Sequence, residues 1–322
     1  MINSVRNTVL SVLNKNNYGY ISPSDFNLYC QQAQMELYDE YFSSYNKAIN
    51  AENMRSSGTE YADLAKTIAE VLEGFLTSNF LVPSSNGQIP TNEFYIPSLI
   101  TTGDTAYMLN KIICYTKYLT DGYNDSTSPF MLIDSNADFV LSGVSVGDII
   151  VNATSFQASY ITDVFSPTDL YIYEDIFPVT FDDYIIFSGT SFSEAEKVTN
   201  GKITMLNSSL LTAPSLIYPA YTLIKDLMKV YPTSINLYGA VKADYFRYPL
   251  VPKWTYSTLA NGEPVFNQSQ PDYQDFELPN EDEYKLAVKI LQYCGISIRE
   301  TEVVQFALAQ EQHEQPSFSM KQ

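Results

Sequence analysis

The spacing of apolar residues changes at Val82-Pro83, and this change limits the folds that the chain can adopt. Before it, apolar residues recur every three or four positions, which is the period of an amphipathic helix. After it, short aromatic and β-branched runs alternate with Pro, Gly and Asn, as strands and turns do. Helical spacing returns near the end. We therefore expect an α+β fold, with a helical bundle built from N- and C-terminal helices and an antiparallel β-sandwich or barrel domain carrying a small inserted β-domain.

Residues 1–80 are predicted to form an N-terminal helical bundle. Val5, Val9 and Leu13 repeat at helical spacing in a first helix. Residues 22–25 read Ser-Pro-Ser-Asp, a strong helix start with a hydroxyl N-cap, Pro at the first helical position and an acid in the first turn. The helix that follows could continue to residue 53, about 45 Å at 1.5 Å per residue. A third helix should begin near residue 59.

The middle of the chain is predicted to be a β-domain made of residues 81–137 and 191–279. Its candidate strands are the aromatic and β-branched runs at 94–96, 107–118, 216–221, 234–238 and 241–248, whereas residues 121–128 read as a polar loop. Residues 138–190 hold four or five further short runs bounded by Asp, Pro or Ser. We expect these residues to form a separate small β-domain inserted into a loop of the larger one.

Residues 280–322 are predicted to contain two C-terminal helices and a docking tail. Acidic residues 281–283 should start the first helix, which Gly295 would end, and the second should run from about residue 299 to 312. Five residues are candidates for docking onto a partner: Ile298, Arg299, Phe306, Leu308 and Phe318. The alternative is an ordinary helix face followed by a frayed tail.

The net charge of the chain and its lack of long apolar runs limit the partners that it can bind. Lys and Arg total 18 against 37 Asp and Glu, a net charge of -19, so the chain is a poor candidate for gripping DNA, RNA or an anionic membrane. An acidic channel wall would instead let DNA slide past. No run of eighteen apolar residues occurs, so we expect no membrane span, no signal peptide and translation into a cytoplasm.

Most catalytic and metal chemistry is disfavoured, and we expect neither enzyme activity nor a cofactor. His313 is the only histidine and lies in a polar tail, and the three cysteines are expected to be reduced core residues. Residues 14–25 imitate a calcium loop but carry one anion, and a capped turn between helices explains them better. Acid pairs that could serve a glycosidase are Asp182 with Asp183, Asp272 with Asp275, and Glu174 with Asp175; solvated loop charge is the alternative.

Several stretches resemble structural proteins of crAss-like podoviral phages. These stretches are NTVL (7–10), NKNNYGYISP (14–23), LTAP (211–214), YP (218–219), VYP (230–232), YFRYP (245–249), DFELP (275–279), KIL (289–291) and GISIRE (295–300). They cover both ends and the centre of the chain. The segment from VGDI (146–149) to DIF (175–177) is similar to small β-modules that many phage tail proteins carry.

The resemblance implies a head-to-tail adaptor or tail-barrel ring protein without catalytic residues. In that class, helices from both termini pack together, a β-domain projects outward, and copies form a ring, commonly of twelve, between portal and tail. The implied partners are other copies, the portal protein and neighbouring tail ring proteins, with genomic DNA passing through unbound. The implied location is the virion neck or tail, assembled in the host cytoplasm. Alternatives are a receptor- or carbohydrate-binding tail component and a glycoside hydrolase.

Overall fold

The chain forms two compact units, Met1–Phe75 with Pro249–Gln322, and Leu76–Tyr248. A computed structural model describes residues 1–14, 21–53, 62–84, 91–260 and 262–298. The helices in this part of the chain are α1 (Ile2–Leu13), α2 (Pro23–Asn53), α3 (Ala62–Glu73), α4 (Asn200–Asn207) and α5 (Glu283–Ile298). A short 3-10 turn at Asn280–Asp282 precedes α5.

In the described residues, the strands form two sandwich sheets, a seven-stranded sheet and one hairpin. Their bounds are β1 (Leu76–Phe80), β2 (Glu93–Tyr95), β3 (Ala106–Tyr115), β4 (Tyr118–Tyr123), β5 (Ser126–Ser128), β6 (Met131–Ile133), β7 (Ile149–Asn152), β8 (Gln157–Val164), β9 (Asp169–Ile172), β10 (Asp183–Phe187), β11 (Phe192–Glu194), β12 (Glu196–Lys197), β13 (Ala220–Ile224), β14 (Leu227–Tyr231), β15 (Val241–Arg247), β16 (Tyr256–Thr258) and β17 (Pro264–Phe266).

The first unit contains α1, α2, α3 and α5, together with the hairpin β16–β17. Helix α5 packs against α1 and α2, and α3 packs against α2. Helix α2 begins at Pro23 as predicted, because the Ser22 hydroxyl accepts a hydrogen bond from the Asp25 backbone N–H (3.1 Å). Phe26, Cys30, Ala33 and Leu37, which recur at helical spacing in α2, are all buried. The bundle of N- and C-terminal helices is therefore formed.

Two four-stranded sheets of the second unit form a sandwich. One has the order β1-β15-β3-β11, and the other has the order β12-β13-β14-β2. Both sheets contribute to one buried cluster, the first through Ile112 and Val241 and the second through Phe94 and Met228. All neighbours are antiparallel except β12 and β13. The α+β class with a sandwich-like domain is confirmed.

The seven-stranded sheet of the second unit, β4-β10-β7-β8-β9-β6-β5, curls around its own core. Strands β4 and β5 are its two edges, yet only Asn124 and Asp125 separate them along the chain. One bent segment therefore provides both edges, which is how a small barrel closes. Ile150 and Ile186 face this core, while Ile149 and Phe187, their neighbours in sequence, join the sandwich core.

The structural boundaries differ from the predicted ones. The barrel strands span β4 to β10, residues 118–187, rather than 138–190, and residues 121–128, expected as a polar loop, lie largely in β4 and β5. Residues 249–279, expected in the β-domain, belong with the helices. Their Trp254 is buried there and donates a hydrogen bond from its indole N–H to Asn3 (3.1 Å).

Three local predictions were wrong. Residues 234–238 form turns rather than a strand, and of residues 216–221 only the last two lie in β13. Gly295 does not end the C-terminal helix, because α5 continues to Ile298. Gly295 is buried, so the packing of α5 on the bundle outweighs the helix-ending tendency of glycine.

Candidate functional site

The predicted docking residues begin where the described chain ends. Ile298 is the last residue of α5, whereas Arg299, Phe306, Leu308 and Phe318 lie outside the described residues. Their role in docking therefore stays a prediction. Because α5 packs on α1 and α2, the segment that follows it starts from the helical unit.

Polar contacts fix α5 onto α2. The Lys289 ammonium is 6% exposed and lies 2.7 Å from a Glu40 carboxylate oxygen and 3.3 Å from one of Glu36. The Tyr41 hydroxyl donates a hydrogen bond to the buried Asp282 carboxylate, just before α5. Burial, aided by this bond, raises the pKa of Tyr41 above its ordinary value. One buried ammonium of α5 thus contacts two carboxylates that lie one turn apart on α2.

The acid pair Asp182 and Asp183 supports the barrel. The Asp182 carboxylate is buried and accepts a hydrogen bond from the Asn152 side-chain amide (2.9 Å). The backbone N–H of Asp182 donates to the side-chain oxygen of Asn124 (2.7 Å), and that of Asp183 donates to the Thr154 hydroxyl (3.1 Å). These bonds tie the entry of β10 to the bend between β4 and β5, which explains the polar residues there.

The pair Asp272 and Asp275 lies in the helical unit, where each carboxylate has a partner. Asp272 is ion-paired with Lys253 at 2.5 Å on the surface. Asp275 accepts hydrogen bonds from the Met1 amine (2.9 Å) and the Ile2 N–H (2.7 Å). Of the third pair, Glu174 donates its backbone N–H to the Ser159 hydroxyl (2.7 Å), and both acidic side chains are exposed.

Metal ligation finds no support in the part of the chain that the structure describes, where no group of three or more His, Cys, Asp or Glu could hold an ion. Half of the calcium-like loop, residues 15–20, and His313 lie outside that part. None of the helices within it combines the length and apolar content that a bilayer crossing requires.

The three cysteines are free and buried, as predicted. Burial raises the pKa of the Cys114 thiol to about 12. Burial raises that of Cys294 to about 12 as well, and raises that of Cys30 well above its ordinary value. Because the thiolate is the reactive form, we expect these thiols to be unreactive in the folded protein.

The most exposed apolar surface is a segment that the sequence did not single out as a site. We name residues 205–218 the apolar arm; it links α4 to β13. Its exposed members are Met205, Leu210, Leu211, Leu216, Ile217 and Tyr218. Leu210 and Leu211 are 101% and 97% exposed, so their side chains rest on nothing in the chain.

A second exposed feature is an aromatic pair on the barrel. Phe181 is 71% exposed, and its ring centroid lies 6.0 Å from that of Tyr123, which is 43% exposed. Phe181 has a φ of 65°, a left-handed conformation that is rare for a bulky side chain. Its backbone N–H is held by the Asn124 carbonyl (2.7 Å). The bend of the barrel thus presents two aromatic rings to solvent.

The sequence matches no protein-family model and none of the curated proteins.

Proposed function

We propose that the protein is a structural subunit of a ring in the neck or tail barrel of a tailed-phage virion. The ring links portal to tail and forms part of the DNA conduit. The observation that carries the proposal is the packing of α5, the last helix in the described residues, against α1 and α2 in one helical unit. This is the arrangement that the sequence resemblance implies for an adaptor.

The charge of the chain supports a conduit. The net charge of -19 disfavours attachment to phosphate groups, since binding to DNA depends on cations that displace its counterions. A ring of about twelve such subunits would multiply this repulsion along the wall and let the genome slide through. The proposed partners are other copies, the portal and adjacent tail ring proteins.

The proposed mechanism is mechanical. Subunits add to a preformed ring, and the segment after α5 locks onto the portal or an adjacent ring. The acid pairs Asp182–Asp183 and Asp272–Asp275 serve the fold in this proposal.

The test of the ring is a mass measurement. We would determine the mass of the full chain by light scattering after size exclusion, alone and with the portal protein of the same virion, and image each peak by negative stain. Closed rings with an open channel, alone or on the portal, are the expected result. Failure to form rings in both settings would overturn the proposal.

The test of the docking segment is a truncation after Ile298, which keeps α5 entire. We expect this variant to lose portal binding while its circular dichroism and unfolding temperature stay unchanged. The matched control ends after Ser319, because it keeps Phe306, Leu308 and Phe318, and it should bind the portal normally. Normal docking by the truncation at Ile298 would contradict the proposed lock.

The aromatic pair Tyr123–Phe181 favours one alternative, a carbohydrate-binding tail component. Exposed aromatic rings offer the flat apolar surface on which sugar rings stack, and the exposed side-chain amide of Asn136 lies 3.5 Å from the Tyr123 hydroxyl. A glycan array with the full chain tests it. Binding that Phe181→Ala abolishes and Phe165→Ala leaves intact would support this alternative, and an array without binding would exclude it for the glycans tested.

A further inference from the structure

The apolar arm lies within a long stretch of sequence without charged residues, which begins in α4 and ends with β13. From Ile203 to Ile224, between Lys202 and Lys225, no Asp, Glu, Lys or Arg occurs. Over the whole chain, 17% of the residues are charged. Tyr218 is 78% exposed and Ile217 is 70% exposed. They therefore form exposed apolar surface without charged neighbours in the sequence, and such surface is typical of contacts between proteins.

The arm is anchored at both ends. Ile203 and Ala220 are buried and form a small cluster with Val198, with Leu206 and Tyr231 packed against it. This cluster holds α4 against β13, so the chain leaves the β-structure and returns to it at fixed points. The exposure of the residues between these points is thus a property of the folded unit.

Internal hydrogen bonds keep the arm in one conformation. The Ala213 backbone N–H donates to the Ser209 carbonyl (2.9 Å), and the Thr212 hydroxyl donates to the Leu206 carbonyl (3.0 Å). The Ser215 N–H donates to the Tyr218 carbonyl (3.1 Å), and the Tyr218 N–H donates to the Ser215 hydroxyl (3.3 Å). A loop already ordered before it binds loses less conformational entropy on association.

We propose that the apolar arm is the contact through which one copy of this chain binds the next. Net charge supports a second copy as the partner. Two copies, each with a net charge of -19, repel each other wherever their acidic residues face, so they can approach most closely at an uncharged apolar surface. The inference rests on the ring proposed above, because a ring needs a repeated contact between copies.

The contact is heterologous. In a ring, the arm of one copy lies on a different surface of its neighbour, so every copy gives one arm and receives one. Standard interfaces bury about 800 Å² on each partner. The six exposed side chains of the arm form the apolar core of such an interface, and polar residues around it, such as Asn207 and Ser208, form its rim.

The test places a photo-crosslinking amino acid at Leu211 in the full chain, irradiated alone and together with the portal protein. We expect products at whole multiples of the chain mass, with the cross-linked peptide mapping to a second copy outside residues 205–218. Cross-links to the portal alone, cross-links from arm to arm, or no cross-link would overturn the inference.

A charged pair tests the same contact independently. Leu210→Asp with Leu211→Asp should abolish ring formation and leave the unfolding temperature unchanged, since neither side chain rests on the chain. The matched control is Leu99→Asp with Ile100→Asp, an adjacent pair that is 74% and 97% exposed in the same unit. It should form rings normally.

The two proposals fail in different ways. Rings that persist in the Leu210→Asp, Leu211→Asp variant would overturn the role of the arm and leave the ring proposal standing. Absence of rings in the unmodified chain, alone and with the portal, would overturn the ring proposal. In that case cross-linking between copies at Leu211 still decides whether the arm is a contact surface.

Discussion

The guanidinium of Arg6 lies over the indole ring of Trp254, 3.8 Å from the ring centroid, and joins α1 to the chain segment before β16. Trp254 is 1% exposed and is the single tryptophan of the chain. Its backbone N–H donates to the side-chain oxygen of Asn27 (2.8 Å), so α2 meets the same residue. One buried indole thus connects the beginning of the chain with its last third.

Removing the cation should weaken the helical unit. In Arg6→Ala we expect the free energy of unfolding to fall by about 1–2 kcal/mol, since a cation over a buried indole contributes about that much. Urea unfolding followed by circular dichroism measures it, and the emission of the sole tryptophan reports the change at the ring. Lys242→Ala is the control, because that ammonium lies 5.9 Å from the ring centroids of Phe80 and Tyr160. Equal losses in both variants would contradict the prediction.

Asp275 should make stability depend on acid pH. Burial alone would raise its carboxyl pKa, but hydrogen bonds from the Met1 amine and the N–H groups of Ile2 and Phe276 hold the pKa below its ordinary value. A carboxyl whose pKa is lower in the folded state contributes stability above its unfolded pKa, about 3.9. That stability is lost as the pH falls through the folded pKa.

We therefore expect the unfolding temperature of Asp275→Asn to be lower than that of the unmodified protein at pH 7, with the difference shrinking below about pH 4. The control is Asp163→Asn, at an exposed position of β8, which should follow the unmodified pH profile. A constant difference between the two proteins from pH 7 to pH 3 would show that the carboxylate charge is not the cause.

We expect the three cysteine thiols to be unreactive until the protein unfolds. Cys30, Cys114 and Cys294 are at most 1% exposed, and burial raises the pKa of each. With an aromatic disulfide reagent at pH 8 we expect no reaction in the native state and three thiols per chain in denaturant. Leu210→Cys supplies the positive control, one fast thiol on the arm. Rapid labelling of the native, unmodified chain would contradict the burial.

Features set by neighbouring residues could be predicted from the sequence. The start of α2 at Pro23 depends on a capping hydrogen bond between residues only three positions apart, Ser22 and Asp25. The buried residues from Phe26 to Leu37 follow from the spacing of apolar residues alone. Features set by distant residues could not. The sequences of β4 (YLTDGY) and β5 (STS) include Asp, Gly, Ser and Thr, and these segments are strands because they pair with β10 and β6.

The apolar arm, too, could be predicted only in part from local sequence. Residues 216–221 have the β-branched and aromatic content of a buried strand, which is why a strand was expected there. Only the last two enter β13, while Ile217 and Tyr218 are exposed. Local sequence gives the apolar character of these side chains, whereas their exposure depends on how Ile203 and Ala220 anchor the loop.

Gly189 should tolerate no side chain, because a Cβ there would lie 2.0 Å from the carbonyl oxygen of Gly147. That obstacle is backbone, and Gly147 is itself held by hydrogen bonding of its N–H to the Ile161 carbonyl (2.8 Å). The Gly189 N–H also donates to the buried Asp148 carboxylate (2.9 Å), so moving the strand end would break this bond too. In Gly189→Ala we expect the free energy of unfolding to fall by about 3 kcal/mol or more.

Gly201→Ala is the matched control, since a Cβ at that position in α4 meets nothing within 4 Å. Alanine is the better helix former, so we expect Gly201→Ala to be as stable as the unmodified protein or up to about 1 kcal/mol more stable. Urea unfolding of the two variants, followed by circular dichroism, makes the comparison. If both variants unfold at the same urea concentration, the close approach of Gly189 to Gly147 does not constrain the barrel.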